Sequence, residues 1–538
     1  ADGATRSYDA AILIDTVVAK PADAARLVYG TAPRAAKMIG IGVHPDVHAL
    51  TFSNAGATLW TGCDGGVYRN DRPTTSAAGF YACNQGLSIS ETNFLGASPV
   101  HEADLMVGLQ DNGVGARASG SVWRVVIKAD GGGIVRDPQR PERWFAQYTY
   151  GTWGSPAGHA TGGPLAWKPV PQPSRVNGGE PAAAFYMLPA TIGHTRGGAP
   201  IAQMLIGTAR PWYTDDYGVT WSTLPTGTDA FTGGAWNNAQ DDLGSPIYAC
   251  RWQDPDTAWV MTGNAIYKLS RTPGSHEAAA PGTWAKPALK VLDKNAPASS
   301  DEGKAKKRTP PDPNQPLALL RSSPHWTEIE PNFVPAAGAV PARSALYLGT
   351  IGHPTAAGVD TLWWYDGSTW MTTELATRGN SGGPLPAPVT AIAVDPALPD
   401  EVWVGTTVGV VHGVRSAVAA PPPGGRTFNW NWTPLLNGLP ESPVEDLVFY
   451  KDAPLRLLRA AIGARGVWEL RLDTPAVAAR SYLRVHEGDL RHRTSARLLQ
   501  ADGTTERPWH ASPDIRPRLA PQSITVTPPT VAAPWTRL

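Results

Sequence analysis

Ala391-Ile-Ala-Val-Asp395-Pro396, followed six residues later by Val402-Trp-Val-Gly405-Thr406, sets the fold class. Each half is a short segment with apolar side chains on alternate positions, and the junction is an Asp-Pro turn. Period-two alternation with such punctuation reads as an antiparallel strand pair, because successive side chains of a strand point to opposite faces. The same phrase returns at Val135-Arg-Asp137-Pro138 with Trp144-Phe-Ala146, and at Arg251-Trp-Gln-Asp254-Pro255 with Trp259-Val-Met-Thr-Gly263.

The Gly that closes the second segment serves as a register mark. It recurs at Gly30, Gly62, Gly108, Gly151, Gly207, Gly263, Gly349, Gly405 and Gly463, at intervals of 32, 46, 43, 56, 56, 86, 56 and 58 residues. Repeats of this length with about four strands each are the signature of a β-propeller. The long interval contains residues 293–316, a Lys, Ser, Asp and Pro run with almost no large apolar side chain, which reads as a mobile insertion. The expectation is an all-β propeller over residues 1–472 with about eight blades, seven or nine being the neighbouring counts. Pairing of residues 7–40 with 444–472 would close the ring and remove an open edge. Residues 473–538 are too short and Pro-rich for a core of their own and form a C-terminal extension, whose Tyr482-Leu-Arg484 and Trp509-x-x-Ser-Pro-Asp-Ile515 resemble the start of a β-sandwich-like module.

Composition agrees and excludes other classes. Gly 56 and Pro 52 make about a fifth of the 538 residues, Trp reaches 21, and charged residues are only 17%, which argues against long helical bundles. Lys plus Arg equals Asp plus Glu at 46 each, so the positive footprint of a nucleic-acid binder is absent. No apolar run has the length of a membrane-spanning helix. The opening Ala-Asp-Gly suits a mature end after signal cleavage, hence an extracellular or periplasmic location. Of the three cysteines, Cys63 and Cys83 are the nearest pair, and Cys250 reads as a buried thiol.

Two motifs resemble known propellers. Thr214-Asp-Asp216-Tyr-Gly218-Val-Thr220-Trp221 resembles the Asp-box turn at every defined position. In such a turn Asp216 bonds backbone N–H groups, Gly218 takes a positive φ and Trp221 packs beneath. The resemblance is to the bacterial-neuraminidase-repeat propellers, which include sialidases, xyloglucan hydrolases and the sortilin ectodomain. His44-Pro-Asp46-Val-His48, Gly62-Cys-Asp64-Gly-Gly66, Leu109-Gln110-Asp111-Asn-Gly113 and Asp130-Gly-Gly-Gly133 resemble the ordered motifs of secreted bacterial propellers of glycosyl-hydrolase-like type. Fold alone does not license an activity.

The resemblance implies a polysaccharide partner that is bound or hydrolysed, and the rival reading is a non-catalytic extracellular binding or assembly module, with an extracellular protein as the other candidate partner. Asp46, Asp64, Asp111 and Asp130 are the candidate catalytic acids, because glycoside hydrolysis takes one carboxyl as acid and another as base or nucleophile. Asp-Gly and Asn-Gly are also plain turn formers, so the residues leave both roles open. Gln110 and the His44-x-Asp46-x-His48 alternation are candidate ligand contacts. Those three side chains share one strand face, yet steps of about 7 Å spread them too far for an easy metal site. Trp153 and Trp212, in loops rich in Gly, Pro and polar residues, are candidate exposed sugar platforms. No Arg-Ile-Pro, Walker loop or His-Glu-x-x-His occurs, and no cofactor is expected.

Overall fold

The acid of each Asp-Pro turn holds its own backbone. In the computed structural model Asp395 Oδ1 accepts the Ala397 N–H at 2.9 Å, Asp254 Oδ1 that of Asp256 at 2.8 Å, and Asp137 Oδ1 those of Gln139 and Arg140 at 2.8 and 3.0 Å. The punctuation read from sequence is thus a repeated Asx turn. The structure describes segments between residues 43 and 472 together with 482–485, 495–499, 506–510 and 535–537. Residues 1–42, 156–167, 170–188, 224–246, 294–324 and shorter pieces lie outside the described residues. Gly30, the proposed partner strand at 7–40 and nearly all of the 293–316 insertion fall there.

The described chain is all-β, with eight four-stranded antiparallel sheets and one of three strands. Sheet I holds Val47–Ser53, Thr58–Cys63, Gly66–Asn70 and Phe80–Ala82. Sheet II holds Thr92–Ala97, Leu105–Leu109, Gly113–Ser119 and Val122–Ile127, and sheet III Gly131–Arg136, Trp144–Tyr148, Gly151–Ser155 and Lys168–Pro169. Sheet IV runs from Ala190–Arg196 to Ser222–Thr223, sheet V from Ile247–Asp254 to Lys290–Asp293, sheet VI from Trp326–Val334 to Trp370–Thr372, and sheet VII from Val389–Ala393 to Phe428–Pro434. Sheet VIII takes Val444–Asp452, Leu455–Ile462 and Gly466–Arg471, and its fourth strand is Thr536–Arg537 from the C-terminal extension. Trp535 anchors that strand, being buried with its indole N–H donated to Leu435 O at 2.7 Å.

The first strands of sheets II to VIII touch in chain order, and that of VIII packs back on that of II. Two bonds stitch this last seam: Asp446 Oδ2 accepts the Leu95 N–H at 2.9 Å, and Arg459 donates to Glu102 O at 2.6 Å. This is the packing order of a β-propeller. The register glycines explain how it is achieved. A Cβ on Gly207 would lie 2.3 Å from Ile247 Cγ2, one on Gly349 2.6 Å from Val389 Cγ1, and one on Gly405 2.7 Å from Val444 Cγ1. In each case the intruding atom belongs to the first strand of the next sheet, so only Gly allows the sheets to close up. Gly62 differs, because its nearest neighbour is Ala49 of its own sheet at 3.4 Å. Sheet I correspondingly makes no comparable contact with another first strand among the described residues.

Buried Arg side chains lock the outer turns. The Arg271 N–H donates to Asp256 O at 3.0 Å while its guanidinium reaches Asp256 Oδ1 at 2.7 Å and Pro255 O at 3.0 Å. Arg415 repeats all three contacts with Asp400 and Pro399, at 2.7, 2.6 and 3.2 Å. Each guanidinium also lies over an indole, 4.9 Å from Trp284 for Arg271 and 4.0 Å from Trp364 for Arg415. The turn at 214–221 has the geometry read from its sequence. Asp216 accepts from the Thr220 N–H at 2.9 Å and the Thr220 hydroxyl at 2.6 Å, Gly218 sits at φ 82°, and Trp221 packs against Phe145 with ring centroids 6.2 Å apart. These bonds hold the Asp216 carboxyl below its ordinary range, although burial opposes them. Cys63, Cys83 and Cys250 are all free thiols, and burial pushes Cys250 up to about 12.

Gly207→Ala and Gly405→Ala should each lower stability by about 1–3 kcal/mol through overpacking, whereas Gly62→Ala should be neutral or stabilising by up to about 1 kcal/mol. Urea unfolding of the three variants checks this, and equal losses at all three would contradict the inter-sheet role of the glycines.

Candidate functional site

The described residues of the four motif segments read from the sequence are joined at one place. Gly66 takes φ 109°, a conformation suited to Gly, and Asn84 clamps the turn before it by accepting the Val67 N–H and donating to Gly65 O, both at 2.8 Å. This turn carries Asp64. The Asp64 carboxylate bonds His48 Nε2 at 2.5 Å across the first and second strands of sheet I, where His48 is the extra residue of a β-bulge. Asn112 then donates its amide to both Asp64 O and Gln110 O at 3.2 Å, joining the Leu109–Gly113 turn of sheet II to the Asp64 turn. The glycines after Asp130 complete the cluster. A Cβ on Gly131 would stand 2.0 Å from Gly113 O and 2.8 Å from Leu109 N, so the backbone of 130–133 presses on the same turn.

Of the four candidate acids, Asp64 and Asp130 are described, both partly exposed, while Asp46, Asp111 and the candidate contact His44 lie outside the described residues. Asp64 is held by an imidazole rather than by its own turn, and the His48 side chain is 69% exposed against 21% for Asp64. Such a pair can orient a ring nitrogen toward a ligand and pass a proton through it. Trp153 lies in the third strand of sheet III, and its side chain is outside the described residues. Trp212 corrects the expectation of exposure. It is only 5% exposed, and its indole N–H donates to Thr208 Oγ1 at 3.2 Å. Its position in the strand Pro211–Thr214 places it in the sheet interior, which flanking Gly and Pro residues in the sequence concealed.

Two features were not singled out from sequence. The first is a cross-strand row on sheet I, where Trp60, Arg69 and Tyr81 stand directly opposite one another on adjacent strands. Arg69 lies 5.1 Å from the Trp60 ring and 5.9 Å from the Tyr81 ring, and donates to Asp71 Oδ1 at 2.7 Å. Asp71 also accepts from the Tyr81 hydroxyl at 2.8 Å, and the Arg69 and Tyr81 bonds hold its carboxyl below the usual range. Tyr81 is 47% exposed. Cross-strand register, which single-sequence periodicity does not supply, is what creates this row.

The second lies on the first strands of the ring. Arg251 pairs with Glu328 at 2.9 Å and Glu330 at 3.1 Å, and Asp446 faces the same group electrostatically. Burial pushes Glu330 up to about 8, Arg251 pulls the other way, and Glu328 adds to the rise. One guanidinium thus serves two carboxylates, and burial shifts Glu330 toward its protonated form. The legible signal was Glu328-Ile-Glu330, two acids alternating with an apolar residue inside a strand.

Among the described residues no group of three or more His, Cys, Asp and Glu side chains is placed to hold a metal ion. No protein-family model and no curated protein matches the chain. Among solved structures it is similar to the GH74 xyloglucanase from Xanthomonas campestris, at 14% identity and a TM-score of 0.39, over 76% of this chain and 58% of that one. It is also similar to an ancestral GH74 enzyme, at 10% identity and a TM-score of 0.28, over 88% of this chain and 79% of that one. Likeness of this degree carries no inference about chemistry.

The pH dependence of stability tests the ring cluster. A carboxyl whose folded pKa is raised binds a proton that the unfolded chain has released, so its contribution is complete below about 4.3 and is lost as pH rises. For Glu330 that loss runs through about 8. The Glu330→Gln variant should therefore lose less stability than the parent between pH 5 and 8.5, measured by urea midpoints, with equal slopes as the contrary result.

Proposed function

We propose that this chain is an extracellular or periplasmic propeller of seven blades, sheets II to VIII, that binds polysaccharide through sheet I and the adjoining turns. The observation that carries the reading is the Trp60–Arg69–Tyr81 row, half-buried at Trp60 and Arg69 and exposed at Tyr81, beside the His48–Asp64 pair. A pyranose presents a C–H face that stacks on an aromatic ring, and its hydroxyls want planar charged partners at the ring edge. Trp60 and Tyr81 supply rings about 10 Å apart, two strand spacings, and Arg69 with Asp71 supplies donors and acceptors between them. Thr51 and Tyr81, at the two sides of the row, are exposed among the described residues, which suits a chain lying across the strands rather than a single sugar.

Binding is favoured over hydrolysis because Asp64 is committed to His48 and the turn backbones of 109–113 and 130–133 are pressed together by Gly contacts. The location follows from the partner proposed, and no described helix is long and apolar enough to cross a membrane. Tyr81→Ala should weaken retardation in gels containing soluble polysaccharides by about tenfold, the loss of one stacking contact worth roughly 1–1.5 kcal/mol. His48→Ala should weaken it less. A reducing-end assay on the retarding polysaccharide should show no new ends from the parent protein; new ends that vanish in Asp64→Asn would instead establish hydrolysis. Retardation unchanged in Tyr81→Ala would remove sheet I from the binding surface.

A further inference from the structure

The seam between sheets II and VIII is packed unlike the others. Its buried cluster consists of Leu95, Leu105, Val107, Leu109, Ala461 and Val467, and of the six buried clusters among the described residues it alone contains no buried aromatic side chain. The neighbouring seam of VII and VIII is filled by Trp403 and Trp535, and that of VI and VII by Tyr347, Trp364 and Trp432. Small aliphatic side chains leave room where indoles would fill it. A cleft of about 480 Å³ remains, walled by Val107, Leu109, Val467 and the half-buried Trp123. That volume is in the range of small-molecule sites.

The polar lining of the cleft is Ser90, Thr92 and two cations. Arg124 and Arg537 line it, and Arg465 lies near enough to Arg537 to repel its charge. Arg537 is brought there by register, since it pairs with Trp468 on the third strand of sheet VIII. No carboxylate pairs with Arg124, Arg465 or Arg537 among the described residues, although Arg136, Arg196, Arg251, Arg271, Arg415 and Arg459 all have one. Partial desolvation and the neighbouring Arg465 lower the Arg537 pKa.

We propose that this cleft binds a planar aromatic carboxylate, its ring against Trp123 and the aliphatic wall of Val107 and Val467 and its carboxylate on Arg537 and Arg124. A flat apolar body replaces the aromatic filler that this seam lacks, and the anion supplies the missing counter-charge in the fork geometry that guanidinium groups favour. The site is separate from the glycan surface on sheet I and does not depend on it.

Calorimetric titration with cinnamate, against its neutral isostere cinnamamide, tests the proposal on the full chain. The parent should bind cinnamate at least tenfold more tightly than the amide. Arg537→Gln, at an exposed position, should abolish most of that difference, and Arg124→Gln should reduce it. Val467→Trp, which fills the cleft, should eliminate binding of both compounds. Should that variant fail to fold, two-dimensional NMR of the Trp123 indole provides the second reading, with a shift on addition of cinnamate that is absent in Arg537→Gln. No binding of cinnamate, equal binding of acid and amide, or affinity unchanged in Arg537→Gln would each overturn it.

Discussion

The close approach of one sheet's first strand to the second-strand glycine of the sheet before it is the contact on which the ring depends. Any Cβ at Gly207, Gly349 or Gly405 would occupy space already held by Ile247, Val389 or Val444. Interiors pack as densely as organic crystals, so a methyl group in that position has no slack to take up. Aromatic side chains then fill what the aliphatic contacts leave, and the buried Arg–Asp locks at Arg271 and Arg415 fix the outer turns. Sheets IV, VI and VII carry the glycine contact, and sheets V and VII add a cationic clasp at their outer turns.

Much of this was legible because it is local. The Asp-Pro turns, the 214–221 turn and the second-strand glycines are written within a few residues, and each has a physical reason for its residue type. Convergence of Asp64, Gln110 and the Asp130 segment was legible only as a list of turns, since their meeting depends on how sheets I, II and III are placed. Trp212 was misjudged because its Gly and Pro neighbours suggested a loop where a short buried strand runs. The Trp60–Arg69–Tyr81 row and the Arg251–Glu328–Glu330 group stayed hidden for a common reason: their members come from different strands, and single-sequence periodicity does not give pairing.

The Arg251 group also bears on how charge is tolerated inside the ring. Two carboxylates competing for one guanidinium would leave an uncompensated buried anion, which costs several kcal/mol in general. Holding the proton on Glu330 avoids that penalty. Asp446 solves the same problem differently, by accepting the Leu95 and Leu447 N–H groups at 2.9 and 2.8 Å. Its carboxylate thereby doubles as a staple across the seam of sheets II and VIII.

Sheet VIII borrows its outermost strand from Thr536–Arg537, more than sixty residues beyond Arg471. Loop-closure entropy grows only slowly with such a separation, so the arrangement costs little at equilibrium. Its kinetic meaning is larger. These residues lie far along the chain from the rest of the sheet, so the outer edge of Gly466–Arg471 stays bare until they dock. Trp535 then seats its indole N–H on Leu435 O, making this short segment a latch that separates a sheet with a covered edge from one with an open strand.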